Sequence, residues 1–182
     1  MNYTEWSEKV KQCRKCKLCN TRTQVVVGDG NPNADILFVG EAPGKDEDLR
    51  GLPFVGRSGK LLRQKISEIG LTRNDIYITN IVKCRPPDNR DPEEDELVAC
   101  GTYLIEQIRD YIKPKFIVGV GRISSGIIYR DYKRGVIYDF DDYKFMGIYH
   151  PAATIYDSTK LEDFVNDLQK LKKYVNKQDK FW

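Results

Sequence analysis

No apolar run in this 182-residue sequence approaches the length of a membrane span, which excludes a transmembrane helix. The first residues include Glu5, Glu8, Lys9 and Lys11, where a secretory signal needs an apolar stretch, so the chain is expected to be intracellular. Charged residues make up 31% of the chain, but the formal net charge is only +3. That balance is too mild to prove a nucleic-acid partner by bulk electrostatics, and any basic face must be local. The string GxxxxGK[ST] is missing, which argues against a small-molecule phosphotransferase. Internal repeats, low-complexity tracts and composition breaks are also missing, so residues 1–182 are expected to form one domain. Histidine occurs once, as His150, and a lone histidine by itself signals no catalyst.

Five cysteines are distributed unevenly. Cys13, Cys16 and Cys19 follow at intervals of three, whereas Cys84 and Cys100 are distant. An odd count argues against full disulfide pairing, and clustered thiols in a reducing compartment favour metal ligation. Spacing alone leaves zinc and an iron–sulfur cluster both open.

Periodicity predicts alternating strands and helices. The short β-branched or aromatic runs Ile36–Val39, Ile76–Thr79 and Phe116–Val120, with a weaker Phe145–Tyr149, suit buried parallel strands. Between the first two, Leu62, Ile66 and Ile69 recur at helical spacing and Gly70 supplies a stop. Between the second and third, Asp91 is the expected cap, with Pro92 at the first helical position and Glu94 reaching back. Leu97, Leu104, Ile105, Ile108 and Ile112 then share one face of a helix that also carries Cys100. Leu161, Phe164, Val165, Leu168, Leu171 and Val175 mark a last amphipathic helix, and 176–182 is expected to fray. The pattern predicts an α/β chain, a three-layer α/β/α domain around a small, mainly parallel sheet.

Parallel sheets bind ligands beyond the carboxyl ends of their strands. The first strand runs into Gly40-Glu41-Ala42-Pro43-Gly44, the second ends at Asn80 and the fourth at His150-Pro151. Each alone has an ordinary reading as a turn, a cap or a packed ring. Their shared address predicts one pocket holding a backbone-amide loop, a carboxamide and an imidazole.

At these residues the sequence resembles the family 4 uracil-DNA glycosylases. The segment Gly40–Gly44, with Glu47-Asp48 and Pro53-Phe54-Val55-Gly56, is similar to the family's first motif. Thr79-Asn80-Ile81-Val82-Lys83-Cys84-Arg85-Pro86-Pro87 and His150-Pro151-Ala152-Ala153 are similar to its central and final motifs. The resemblance runs from Cys13 to the last helix. It implies an α/β/α fold and a repair enzyme that hydrolyses the N-glycosidic bond of uracil in DNA and leaves an abasic site.

Chemistry and resemblance together suggest roles. An enzyme acting on a stacked base must flip it out and read its pairing edge. The Asn80 carboxamide complements uracil N3–H and O4 and mismatches cytosine. Phe54 offers a face for the flipped base. Bond cleavage drives negative charge onto the departing base, so donors at uracil O2 matter most. The resemblance assigns one to His150, as a neutral ring, and others to the amides at Glu41 and Ala42. It places no carboxylate at Ala42, where other branches of the superfamily have one. Glu41 is therefore the nearest candidate to handle water, with Asn89 and Glu47 orienting water or shaping the pocket. Gly44 stands where other branches exclude thymine with a tyrosine. No amine is poised as a nucleophile, so hydrolysis without strand cleavage is expected.

The resemblance also implies that Cys13, Cys16, Cys84 and Cys100 hold a [4Fe–4S] cluster, with residues 1–22 as a cluster-binding segment and Cys19 spare. Its role would be structural, since hydrolysis transfers no electrons. Expected DNA contacts are Arg57, Ser58 and Lys60 at a helix start, Lys83 and Arg85 beside the Asn80 strand end, and Ile155 as an apolar wedge. The partner is uracil-containing DNA, the chain is expected to act as a monomer, and no clamp or polymerase partner is read from it. A zinc-stabilised DNA-binding module would share the cysteines but has no need of Asn80 and His150 at converging strand ends. A related branch that attaches covalently to its product uses a histidine in an inserted basic loop. The short Asp48–Pro53 segment has none.

Overall fold

The computed structural model describes residues 1–178. In chain order the elements are α1 (Tyr3–Lys11), β1 (Asp29–Gly30), β2 (Ile36–Gly40), α2 (Lys45–Arg50), α3 (Arg57–Glu68), β3 (Ile76–Asn80), α4 (Glu94–Glu106), β4 (Phe116–Val120), α5 (Arg122–Ile128), β5 (Ile137–Asp139), β6 (Lys144–Ile148) and α6 (Ser158–Gln178). The six strands form one sheet in the order β1-β3-β2-β4-β6-β5. Its four central strands are parallel and the two short edge strands antiparallel.

The α/β/α expectation is borne out, and alternation along the strands explains it. Leu37, Val39, Tyr77, Ile117 and Phe145 enter one core, against Trp6 and Val10 of α1 and Tyr103 and Leu104 of α4. Their neighbours Ile36, Phe38, Ile76, Ile78, Phe116, Val118 and Met146 enter the other, against Leu62 and Ile66 of α3 and Phe164, Leu168 and Leu171 of α6. A strand apolar on both faces is stable only between two helical layers. Each fully buried Leu, Ile or Phe adds roughly 1.5–3 kcal/mol.

The expected strands are present, each placed within about one residue of its predicted bounds. Edge strands β1 and β5, of two and three residues, are too short for a period-2 signal. Helix α3 ends where expected, with Gly70 just beyond at φ +86°. Two helix details differ. Asp91 does not cap α4: Glu93 does, in a reciprocal box with Glu96, whose side chain accepts from the Glu93 amide at 2.8 Å. Arg90 gives two hydrogen bonds to the same buried carboxylate, at 2.6 and 2.8 Å, and pulls the start of the helix beyond Asp91. Ile105 is exposed rather than in the core, and a π-helical turn at Gln107–Ile112 shifts the phase of the helix so that Ile112 is buried.

Helix α6 continues through Gln178, into the segment expected to fray, and 179–182 lie outside the described residues. Among the described residues no helix is long and apolar enough to cross a membrane.

Candidate active site

The parallel ladder sets the site. Gly40 and Asn80 are register partners at the carboxyl ends of β2 and β3. The pairing continues one step further, with the Ile81 and Val82 amides donating to the carbonyls of Gly40 and Glu41 at 2.9 and 3.0 Å. Strand β6 ends two residues before His150, so three strand ends converge. They border a cleft of about 530 Å³ lined by Asn80, His150, Phe54, Ser58 and the Glu41–Gly44 loop, with Glu47, Asn89 and Asp91 at its walls. Asn80, 2% exposed, lies at its floor.

His150 caps a short turn over Pro151–Thr154, and its Nδ1 accepts from the Ala152 amide at 3.1 Å. A ring that accepts at Nδ1 carries its proton on Nε2 and is neutral. Burial also holds its pKa below the ordinary histidine value, with Glu47 opposing that shift. The Phe54 ring stands 5.9 Å from the imidazole, tilted by 33°.

Phe54 occupies left-handed backbone, at φ +52°, which few residues other than glycine adopt. Three contacts hold it there. Arg63 donates to the Phe54 carbonyl at 2.9 Å and to that of Pro53 at 2.7 Å, and Asp29 anchors Arg63 at 3.0 Å. Glu47 accepts from the amides of Val55 and Gly56 at 2.9 and 2.8 Å. Gly59 lets α3 approach, because a β-carbon there would lie 2.2 Å from the Phe54 carbonyl carbon. Glu47 thus builds the turn beneath the Phe54 ring.

Glu41 is half-buried, and its carboxyl is raised above the ordinary range by burial and by the charge of Asp91, with Arg122 opposing. Asn89, also left-handed at φ +55°, accepts from Arg85 Nε at 2.7 Å, leaving its amide nitrogen as a donor at the rim.

A second constellation lies beside the first. Cys13, Cys16, Cys84 and Cys100 line one small cavity, and Cys19 is not among its lining residues. All five cysteines are free thiols. The Lys15 amide points at Cys13 Sγ at 3.4 Å, the Lys83 amide at Cys100 Sγ at 3.2 Å and the Arg22 guanidinium at Cys84 Sγ at 3.3 Å. Burial pushes the Cys84 thiol up to about 12 and raises Cys16 and Cys100 as well; Arg22 and Lys83 oppose this at Cys84 and Cys100. Asp48 holds the preceding loop by accepting from the Thr23 amide at 2.9 Å.

Comparison with known proteins decides the family. The profile of the Uracil DNA glycosylase superfamily matches residues 27–175. A type-4 uracil-DNA glycosylase of Archaeoglobus fulgidus is 43% identical, covering 93% of this chain and 91% of its own. One from Sulfurisphaera tokodaii is 48% identical over 91% of this chain and 81% of its own. One from Thermotoga maritima is 41% identical over 94% of each. The chain belongs to the type-4 uracil-DNA glycosylases.

As a type-4 uracil-DNA glycosylase, the protein departs from the sequence-based expectations at several residues. Lys83 is not a DNA contact. It is 1% exposed, and its amine donates to Thr79 Oγ1, the Asn80 carbonyl and Gln107 Oε1, so it reaches no phosphate. The side chain that protrudes from the 154–156 turn is Tyr156, 84% exposed, while Ile155 is half-buried. Arg57 and Lys60 are exposed at the start of α3, and Arg57 donates to the Tyr156 hydroxyl at 2.9 Å. Sequence reasoning missed Arg63, Arg22 and the cleft position of Asp91. Asp91 had a local reading as a cap, and the two arginines act on groups distant in the chain.

Proposed function

We propose that this chain is a monofunctional repair enzyme that flips uracil out of DNA and hydrolyses its N-glycosidic bond, acting as a single-domain monomer inside the cell. The observation that carries the reading is the cleft itself: Asn80, His150 and the Glu41–Gly44 loop face one volume.

In this reading the buried Asn80 carboxamide pairs with uracil N3–H and O4, and the low exposure of its site makes a mispaired base costly. Phe54 stacks on the base. As the bond breaks, charge gathers on uracil O2. The Nε2–H of a neutral His150, supported by the Glu41 and Ala42 amides, meets it there. Glu41 lies within the cleft to orient water toward the sugar, with Asn89 at the rim as a further donor. Arg57, Ser58, Lys60 and Arg85 take phosphates, and the 155–156 turn fills the gap left by the base.

Cys13, Cys16, Cys84 and Cys100 are the residues that would hold a [4Fe–4S] cluster. The fit rests on four thiols around one cavity with N–H donors aimed at three of the sulfurs, the arrangement that stabilises cluster thiolates. Among the described residues no three His, Cys, Asp or Glu side chains are placed to hold a metal ion. Such a cluster supplies a cross-link between the 13–16 turn, the Cys84 loop and α4.

The test is release of free base from oligonucleotides carrying uracil opposite guanine or adenine, hypoxanthine, or thymine. Uracil should be released and thymine retained, and borohydride should trap no enzyme on DNA. DNA binding without release of uracil would instead support a binding module.

A further inference from the structure

Lys83 is a buried basic side chain to which the excision chemistry gives no task. Lys83 sits between the cleft and the cysteine cavity, and each of its three acceptors is committed to accepting. Thr79 Oγ1 gives its hydrogen to the Val27 carbonyl at 2.8 Å. Gln107 Nε2 donates to the same carbonyl at 3.1 Å, which leaves Oε1 as the acceptor. The Asn80 carbonyl accepts by its nature. The amine stands within hydrogen-bonding distance of all three, at 2.6, 2.5 and 2.7 Å. At the same residue the backbone amide donates to Cys100 Sγ.

A buried amine is an expensive way to fill a core, since an apolar chain of similar volume avoids its desolvation. What a fully satisfied polar network adds is a single geometry. Here the geometry concerns Asn80. Its side chain stands at the last rung of β3, where the Ile81 amide of the same peptide pairs with the Gly40 carbonyl at 2.9 Å while the Asn80 carbonyl accepts from Lys83.

We propose that Lys83 is a positioning residue for base recognition: its amine fixes the Asn80 peptide, and hence the direction of the carboxamide, against α4 and the cysteine-bearing segment. This rests on the assignment of Asn80 to the uracil edge. Lys83 is buried and acts only through Asn80.

A double-mutant cycle tests it, using single-turnover uracil release by the cluster-loaded protein. Lys83→Met should slow release by about 100-fold, the scale of a misplaced recognition group, with cooperative melting and iron content kept. In an Asn80→Ala background the same change should cost less than about threefold, because a group that acts through another has nothing left to act on. Equal fold losses in both backgrounds would overturn the inference. Lys83→Met/Gln107→Met, which removes an acceptor left stranded, should recover the melting temperature but not the rate; recovery of both would overturn it. Failure of both variants to fold would overturn it too, by making the amine a pillar of the core. If wild type releases no uracil, the proposed function falls and takes this inference with it. Wild-type release with additive losses sinks the inference alone.

Discussion

Gly40 and Asn80 face each other across the β2–β3 ladder so closely that a β-carbon on Gly40 would stand 2.3 Å from the Asn80 carboxamide oxygen and 2.6 Å from the Phe54 ring. The glycine is required for close approach, since its φ is one that other residues adopt. Gly40→Ala should therefore displace either the Asn80 carboxamide or the Phe54 ring. Overpacking of this kind costs about 1–3 kcal/mol, and uracil release should fall by at least roughly tenfold. Wild-type kinetics from a folded Gly40→Ala protein would show that neither group needs its observed position.

Asn80→Asp replaces a donor–acceptor pair with an acceptor that repels uracil O4, so uracil release should be lost while the fold persists. His150→Ala removes one donor at the developing oxyanion, a loss of roughly 10²–10³ in rate. Melting curves beside single-turnover rates separate chemistry from stability. Undiminished rates from either variant would cancel the role given to that residue.

Glu41 makes a pH prediction with a definite sign. Burial and then Asp91 raise its carboxyl, while Arg122 lowers it. If ionised Glu41 orients water, activity is lost as pH falls through that raised value. Asp91→Asn removes one raising cause, so the acid limb should move to lower pH; Arg122→Met should move it higher. A profile for Asp91→Asn that superimposes on wild type would remove Glu41 from water handling. For stability the sign is opposite. A carboxyl raised by folding contributes stability below its unfolded value and loses it as pH rises through the folded one. Glu41→Gln should thus be stabilised relative to wild type at neutral pH and not in acid.

Arg63 acts at a distance from the base. Its bonds to the Pro53 and Phe54 carbonyls hold a left-handed phenylalanine, a conformation costing of order 1–3 kcal/mol. Arg63→Met should relax that turn and raise KM for uracil-containing DNA more than it lowers kcat. Quenching of a fluorescent base analogue beside the uracil would report the flipped state directly. Unchanged KM would show that Glu47 and Gly59 hold Phe54 without it.

The cysteine cavity predicts which thiols matter. Cys84→Ala and Cys100→Ala should abolish brown colour and absorbance near about 400 nm, with iron falling from about four per chain. Cys19→Ser should keep both, because Cys19 is outside the cavity lining. Zinc in freshly purified anaerobic protein would remove the cluster assignment.

Much of this was legible in local order. The apolar runs at 36–39, 76–79 and 116–120 announced buried parallel strands, and the residues closing two of them announced a site, because strand ends in such sheets share one edge. Gly40–Gly44, Asn80 and His150 meet there. The capping of α4 was misread because Asp91-Pro92 is a good local start signal, while the observed start answers to Arg90 reaching a buried Glu96. Edge strands of two or three residues carry too few positions to show alternation.

The sequence by itself determined the layers, the four central strands with helices α3, α4 and α6, and the family, since periodicity and motif spacing are properties of neighbours along the chain. Only the tertiary structure decided what each charged side chain does. Lys83, between two motif residues, looked like a DNA contact and is a buried amine under Asn80; Asp91 looked like a cap and borders the cleft; Arg63, unread in the sequence, holds Phe54. A long polar side chain finds its partner across space, 24 positions away for Lys83 and Gln107, and no local pattern records that choice.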